Sequence, residues 1–153
     1  MNLQLTSSAF ENGQPIPKRH TGDGEDVSPS LVWSDPPKET KAFALICDDP
    51  DAPRGTWVHW VLFNLPAHAR ELAEAVPISA TLTNGAKQGT NDFGNLGYGG
   101  PAPPRGKPHR YFFKLYALDR TLDLAAGATK DQILAACQGH ILTEAQLMGK
   151  YQR

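Results

Sequence analysis

The sequence predicts a mainly β domain with a small helical tail, and three observations carry that reading. The segments "KAFALIC" (41–47), "TWVHWVLFNL" (56–65) and "HRYFFKLYAL" (109–118) are rich in aromatic and β-branched residues. Both alternating faces of each are apolar, as in central strands covered on two sides. Glycine (14) and proline (13) punctuate short apolar segments rather than pooling in one disordered tract, and helix signals are few and late.

Taken in order, "LQLTSSAF" (3–10) alternates as a strand does, and "SLVWSDPP" (30–37) is a short strand stopped by Pro36 and Pro37. Segments 41–47 and 56–65 form a hairpin across the intervening loop. After Pro66, "PAHARELAEA" suits one or two helical turns. Residues 84–109 then hold seven glycines and four prolines in 26 positions, a length at which loops are usually functional or disordered. Phe93, Leu96 and Tyr98 within it argue for a packed loop. Thr129 with Gln132 forms a capping box for "KDQILAAC", and Gly139 stops that helix. Thr143 with Gln146 repeats the spacing, which predicts a second short helix ending at Gly149. With no internal repeat and no dividing linker, residues 1–153 read as one domain.

Composition excludes several classes. Lys and Arg number 15 and Asp and Glu 16, so no basic field exists to hold nucleic acid or an anionic membrane surface. Any bound anion must be captured locally. Cys47 and Cys137 follow no metal or redox spacing, and their apolar settings predict free buried thiols. The first residues lack the basic start and apolar stretch of a signal peptide. No run approaches the roughly 18 apolar residues of a membrane span. The expected location is the cytoplasm, with monomer, homodimer or other small oligomer left open.

The chemistry gathers at strand ends. Alternation places Trp57, His59, Val61 and Phe63 on one face, which makes His59 an imidazole on an apolar surface. It is either a core histidine bonded to a carbonyl or a pocket group. Asp49 and Asp51, stiffened by Pro50 and Pro53, lie on the loop that the hairpin returns over His59. Beside proline they are also ordinary turn formers. His109 leaves the long loop at the start of its strand, with Tyr111 on its face and Arg110 opposite. Such loop-bordered strand ends are where pockets form.

Sharper motifs fail. "GGPAPPRGK" lacks the Ser or Thr of a phosphate loop, and its prolines remove amide donors. "GYGG" lacks dinucleotide-site spacing. Asp49, Asp51, His59 and His109 show no metal-motif spacing, and Pro50 and Pro53 break a calcium-loop pattern. Cys47 and Thr56 are the nearest nucleophile candidates, and neither sits in a recognisable elbow. Acid and base groups without a nucleophile suggest a receptor rather than an enzyme, with no cofactor and no metal.

Three motifs together resemble the phosphatidylethanolamine-binding protein family, which includes the Raf kinase inhibitor proteins: "DPDAP" (49–53), "WVHW" (57–60) and "GGPAPPRGKPHRY" (99–111). "VSPSLVWSDPP" (27–37) and "GHILTEAQLMGKY" (139–151) are similar to its compact bacterial and archaeal YbhB/YbcL-like branch. The resemblance implies a large central antiparallel sheet, a second smaller sheet, and short helices towards the carboxy terminus. It also implies an anion pocket accepting phosphate-like groups such as phosphoethanolamine. Asp49, Asp51 and Pro53 would form its loop, Trp57 a wall, His59 a buried donor, and Pro104, His109 and Tyr111 the remainder. Val58 stands where animal members carry a second histidine, and the sequence ends at Arg153, short of their longer final helix. The function expected is head-group binding. An inhibitor that engages a kinase or protease through the pocket rim, and a hydrolase using the Asp/His cluster, are the alternatives. Histidine donors to a phosphate, with a carboxylate facing an ammonium, predict tighter binding as pH falls from about 8 to about 6.

Overall fold

The structure, a computed structural model, describes residues 2–153. Eight strands and one α-helix follow in order, with a single 3-10 turn (Lys18–His20) between the first two strands: β1 (Gln4–Thr6), β2 (Leu31–Ser34), β3 (Ala42–Asp49), β4 (Trp57–Pro66), β5 (Glu71–Leu72), β6 (Lys87–Gln88), β7 (His109–Leu118), α1 (Lys130–Cys137) and β8 (Ile141–Tyr151). The larger sheet runs β6-β4-β3-β7-β8 and the smaller β1-β2-β5, with every pairing antiparallel. All eight residues of β3 are buried, as two apolar alternating faces require of a central strand. One face packs Phe43, Leu45 and Cys47 with Trp60, Phe113 and the smaller sheet's Leu5, Leu31 and Trp33. The other packs Ala44 and Ile46 under Ile133 and Cys137 of α1. The two cysteines are free and buried, one on each face, too divided to pair.

Two bulges set the geometry of the β3–β4 hairpin. At the outer one, Cys47 faces Trp60 while Asp48 already faces Val58, which leaves His59 as the extra residue. This corrects the expectation of one face for Trp57, His59, Val61 and Phe63. His59 stays with Trp57 beside Tyr111, whereas Val61 and Phe63 pass to the α1 side. At the inner bulge Asn64 has φ +58°, and its side chain holds both the N–H and the carbonyl of Leu122.

One helix expected from local signals is absent, and the helical turns expected after Pro66 shrink to a single turn closed by the Ala69 N–H on the Pro66 carbonyl. Residues 141–151, expected to hold a short helix, form β8, paired in register with β7 along nearly its whole length. Thr143, Ala145, Leu147 and Gly149 turn inward and their neighbours outward, so pairing outweighs the cap-like spacing. The 66–75 segment likewise spends its backbone on the smaller sheet: Leu72 and Glu71 pair with β2, and the Trp33 N–H donates to the Arg70 carbonyl. The first capping box is present, with Thr129 Oγ1 accepting from the Gln132 N–H and Gln132 Oε1 from the Thr129 N–H. Such a cap contributes about 1 kcal/mol. No helix among the described residues is long and apolar enough to cross a membrane.

The 84–109 loop is packed. Its β6 residues extend the larger sheet, and buried Gln88 accepts from Trp60 Nε1 while donating to the Pro77 and Ser79 carbonyls. Gly89 donates to the Val61 carbonyl where a Cβ would collide with the carbonyl of Ala128. The Tyr98 hydroxyl donates to the His20 carbonyl. These bonds deliver residues 99–109 to the mouth of the β3–β4 hairpin.

Candidate functional site

A cavity of about 310 Å³ opens between the β3–β4 turn and the long loop. Asp49, Ala52, Pro53 and Arg54 form one side, Trp57 and His59 the floor and wall on β4, Phe93 and Ala102–Pro104 the loop side, and His109 and Tyr111 the β7 side. Of the eight residues singled out in sequence, Asp49, Pro53, Trp57, His59, Pro104, His109 and Tyr111 meet here. Asp51 does not. Its carboxylate turns outward, accepting from the Arg110 backbone N–H and gripping the guanidinium through both oxygens. Those hydrogen bonds from Arg110 hold it below the usual carboxylate range.

His59 is fixed at two points by one residue of the loop. The Gly99 N–H donates to the His59 carbonyl, and His59 Nδ1 lies 2.6 Å from the Gly99 oxygen. A carbonyl can only accept, so Nδ1 carries the proton and Nε2 is the ring atom free for a ligand. Burial pushes this imidazole below its usual 6.5, against the opposing pull of the Gly99 carbonyl and the Asp49 charge. At neutral pH His59 is therefore uncharged, and its free nitrogen accepts a hydrogen bond. That revises the role of donor expected from sequence.

His109 is oriented in the same sense. Its Nδ1 lies 2.7 Å from Asp49 Oδ2, and a carboxylate fixes that nitrogen as the donor, leaving Nε2 to the cavity side. Asp49, only 3 % exposed, balances its burial with a second bond: Oδ1 accepts from the Asp51 N–H. The Asp-Pro-Asp turn thus aims one carboxylate at the histidine and the other at Arg110. Tyr111 brings a hydroxyl whose ionisation burial pushes well above the ordinary tyrosine range, so it stays protonated. The rim is aromatic. Phe93, 44 % exposed, meets the Trp57 and His59 rings edge-on at 5.5 and 5.4 Å.

Two contributors were not apparent in sequence. Phe93 reaches the rim because buried Asn91 shapes its turn, accepting from the Phe93 and Asn95 N–H groups and donating to the Gly97 carbonyl. An Asn-Asp-Phe-Gly stretch with two turn formers was the available signal. Arg54 follows Pro53 at the exposed tip, and among the described residues it forms no ion pair. Among the described residues it is the one permanent cation lining the cavity. No Ser, Thr or Cys lines it among the described residues; Cys47 is in the core, and Thr56 borders a separate polar hollow with Lys130.

Comparison with known proteins agrees with this architecture. A family model described as phosphatidylethanolamine-binding protein matches residues 6–152. A UPF0098 protein of Methanothermobacter thermautotrophicus is 53 % identical over 99 % of both chains, and one of Aquifex aeolicus is 48 % identical over 99 % of this chain and 89 % of its own. The crystal structure of a phosphatidylethanolamine-binding protein homolog from Chlamydia trachomatis is 44 % identical and superposes with a TM-score of 0.90, covering 99 % of this chain and 97 % of that one. Escherichia coli YbcL, described as a new member of the mammalian family, has the same TM-score at 34 % identity, covering 100 % and 99 %. With the two-sheet fold, the bulged His59 and the match over nearly its whole length, this chain belongs to the phosphatidylethanolamine-binding protein family.

Proposed function

We infer that this protein is a receptor for a small phosphate-like anion, with an ethanolamine phosphate monoester as the fitting type. The observation that carries the reading is the pair of oriented imidazoles. His59 and His109 each commit Nδ1 to the protein and line one cavity from opposite strands, with Arg54 at its mouth. A phosphate monoanion, whose second pKa is about 6, brings one O–H to donate to neutral His59 Nε2. Its remaining oxygens face Arg54 and the β7 side, where a charge-assisted bond is worth roughly twice a neutral one. An attached ammonium would sit against the faces of Trp57 and Phe93, worth about 0.5–1 kcal/mol at an exposed rim. A cavity wall without a serine, threonine or cysteine among the described residues, and with its Tyr111 hydroxyl held protonated, favours holding such an ester over attacking it.

Calorimetric titration with O-phosphorylethanolamine tests this. The wild type binds, and His59→Ala loses binding while its circular dichroism is unchanged. Undiminished binding to that variant overturns the reading.

A further inference from the structure

A second concavity, of about 560 Å³, shares His109 with the anion cavity and is lined by Asp51, Lys107, Pro108, His109, Arg110 and Lys150. Three cations meet one carboxylate here, on a chain whose formal net charge is −1. The arrangement carries a local cost. Arg110 and Lys150 stand directly opposite one another on β7 and β8, and like charges in that register are destabilising. Asp51 offsets Arg110 alone, through the backbone N–H, Nε and Nη2 at 2.9 Å each. Lys107 and Lys150 form no ion pair among the described residues. The two lysine charges, which no carboxylate offsets among the described residues, favour an anion that enters the groove.

The two concavities share a wall. His109 lines both, and the Asp49-Pro50-Asp51 turn supplies one carboxylate to each side. Asp49 steadies His109 for the first cavity, while Asp51 lines the second and leaves its two lysines free. We propose that the Lys107–Lys150 groove is a second anion subsite, so that a ligand with a second anionic group, one group beside His59 and the other between these lysines, is held more tightly than a monoester. The ligand class is a small bis-anion: a diphosphate, or an organic molecule bearing two phosphates a few atoms apart. This rests on the anion-receptor reading of the first cavity.

Titration at fixed ionic strength with inorganic phosphate, pyrophosphate and propane-1,3-diyl bisphosphate separates the possibilities. The wild type binds at least one bis-anion about tenfold more tightly than phosphate, as expected for two uncompensated cations near a surface. Which one wins distinguishes adjacent from spaced anionic groups. The double variant Lys107→Gln/Lys150→Gln, altered at two exposed positions, loses that advantage and keeps its affinity for phosphate. Bis-anions that bind no more tightly than phosphate, or an advantage that survives the double variant, overturn the proposal. Phosphate binding that is absent, or indifferent to His59→Ala, removes the first cavity's reading and this proposal with it.

Discussion

Replacing Asp49 should damage both stability and the site, in amounts that the geometry sets. Its carboxylate is buried and accepts exactly two bonds within the protein's described network, from the Asp51 N–H and His109 Nδ1, each 2.7 Å long. Asp49→Ala strands both donors. At about 1–3 kcal/mol for each unsatisfied buried group, the loss is about 2–6 kcal/mol. For a chain of this length each kcal/mol moves the melting temperature by about 2–4 °C, so a fall of about 10 °C is expected. Asp49→Asn keeps an oxygen for the Asp51 N–H but can offer an amide donor to a nitrogen that already carries a proton. It should cost about half as much and drive His109 to the Nε2–H tautomer. Thermal unfolding measures the first effect, and nitrogen-15 spectra of the imidazoles measure the second. An Asp49→Ala protein melting within about 2 °C of wild type, or an unchanged His109 tautomer in Asp49→Asn, refutes the assignment of Asp49 as the group that orients His109.

Two more outcomes follow from the electrostatics of the cavity. His59 titrates below its usual 6.5 when folded, so above that pH both states are neutral and it contributes nothing. Below it the unfolded ring takes a proton that the folded ring refuses, and stability falls by up to about 1.4 kcal/mol per pH unit. In urea unfolding, the stability of wild type relative to His59→Gln should therefore decline between pH 7.5 and 5.5; a constant difference contradicts the burial argument. Arg54→Gln, which removes the one permanent cation of the cavity wall, should weaken phosphate binding several-fold and flatten its salt dependence. Unaltered affinity and salt dependence would place the anion away from Arg54.

The sequence exposed the strands whose pattern repeats over many residues, and the capping box that no competing partner disturbs. It also exposed the long loop's packed character, because Tyr98 and Leu96 have no reason to sit in a floppy segment. It misled where a local signal met a tertiary partner. Thr143 and Gln146 have cap-like spacing, yet β7 offers a full ladder of backbone bonds, and the alternation of Ala145 and Leu147 against Glu144 and Gln146 was the better guide. Residues 66–75 have helical composition, but β2 needs an edge partner. The His59 bulge lies beyond any period argument, since one unpaired residue shifts the face of everything after it. Site residues borne on short motifs could be named in advance. Whether Asp51 faced inward could not, because that depends on Arg110 nearly sixty positions away.

The central claim is that oriented imidazoles, His59 first among them, hold a phosphate-like anion through one shared proton, carried by the ring or by the ligand. Calorimetry of O-phosphorylethanolamine between pH 8 and pH 6, in two buffers of different ionisation enthalpy, reads both affinity and proton uptake. The account predicts affinity that rises towards pH 6 by up to about tenfold per unit, uptake of close to one proton, and loss of binding in His59→Ala. A flat affinity profile with no proton uptake would contradict it.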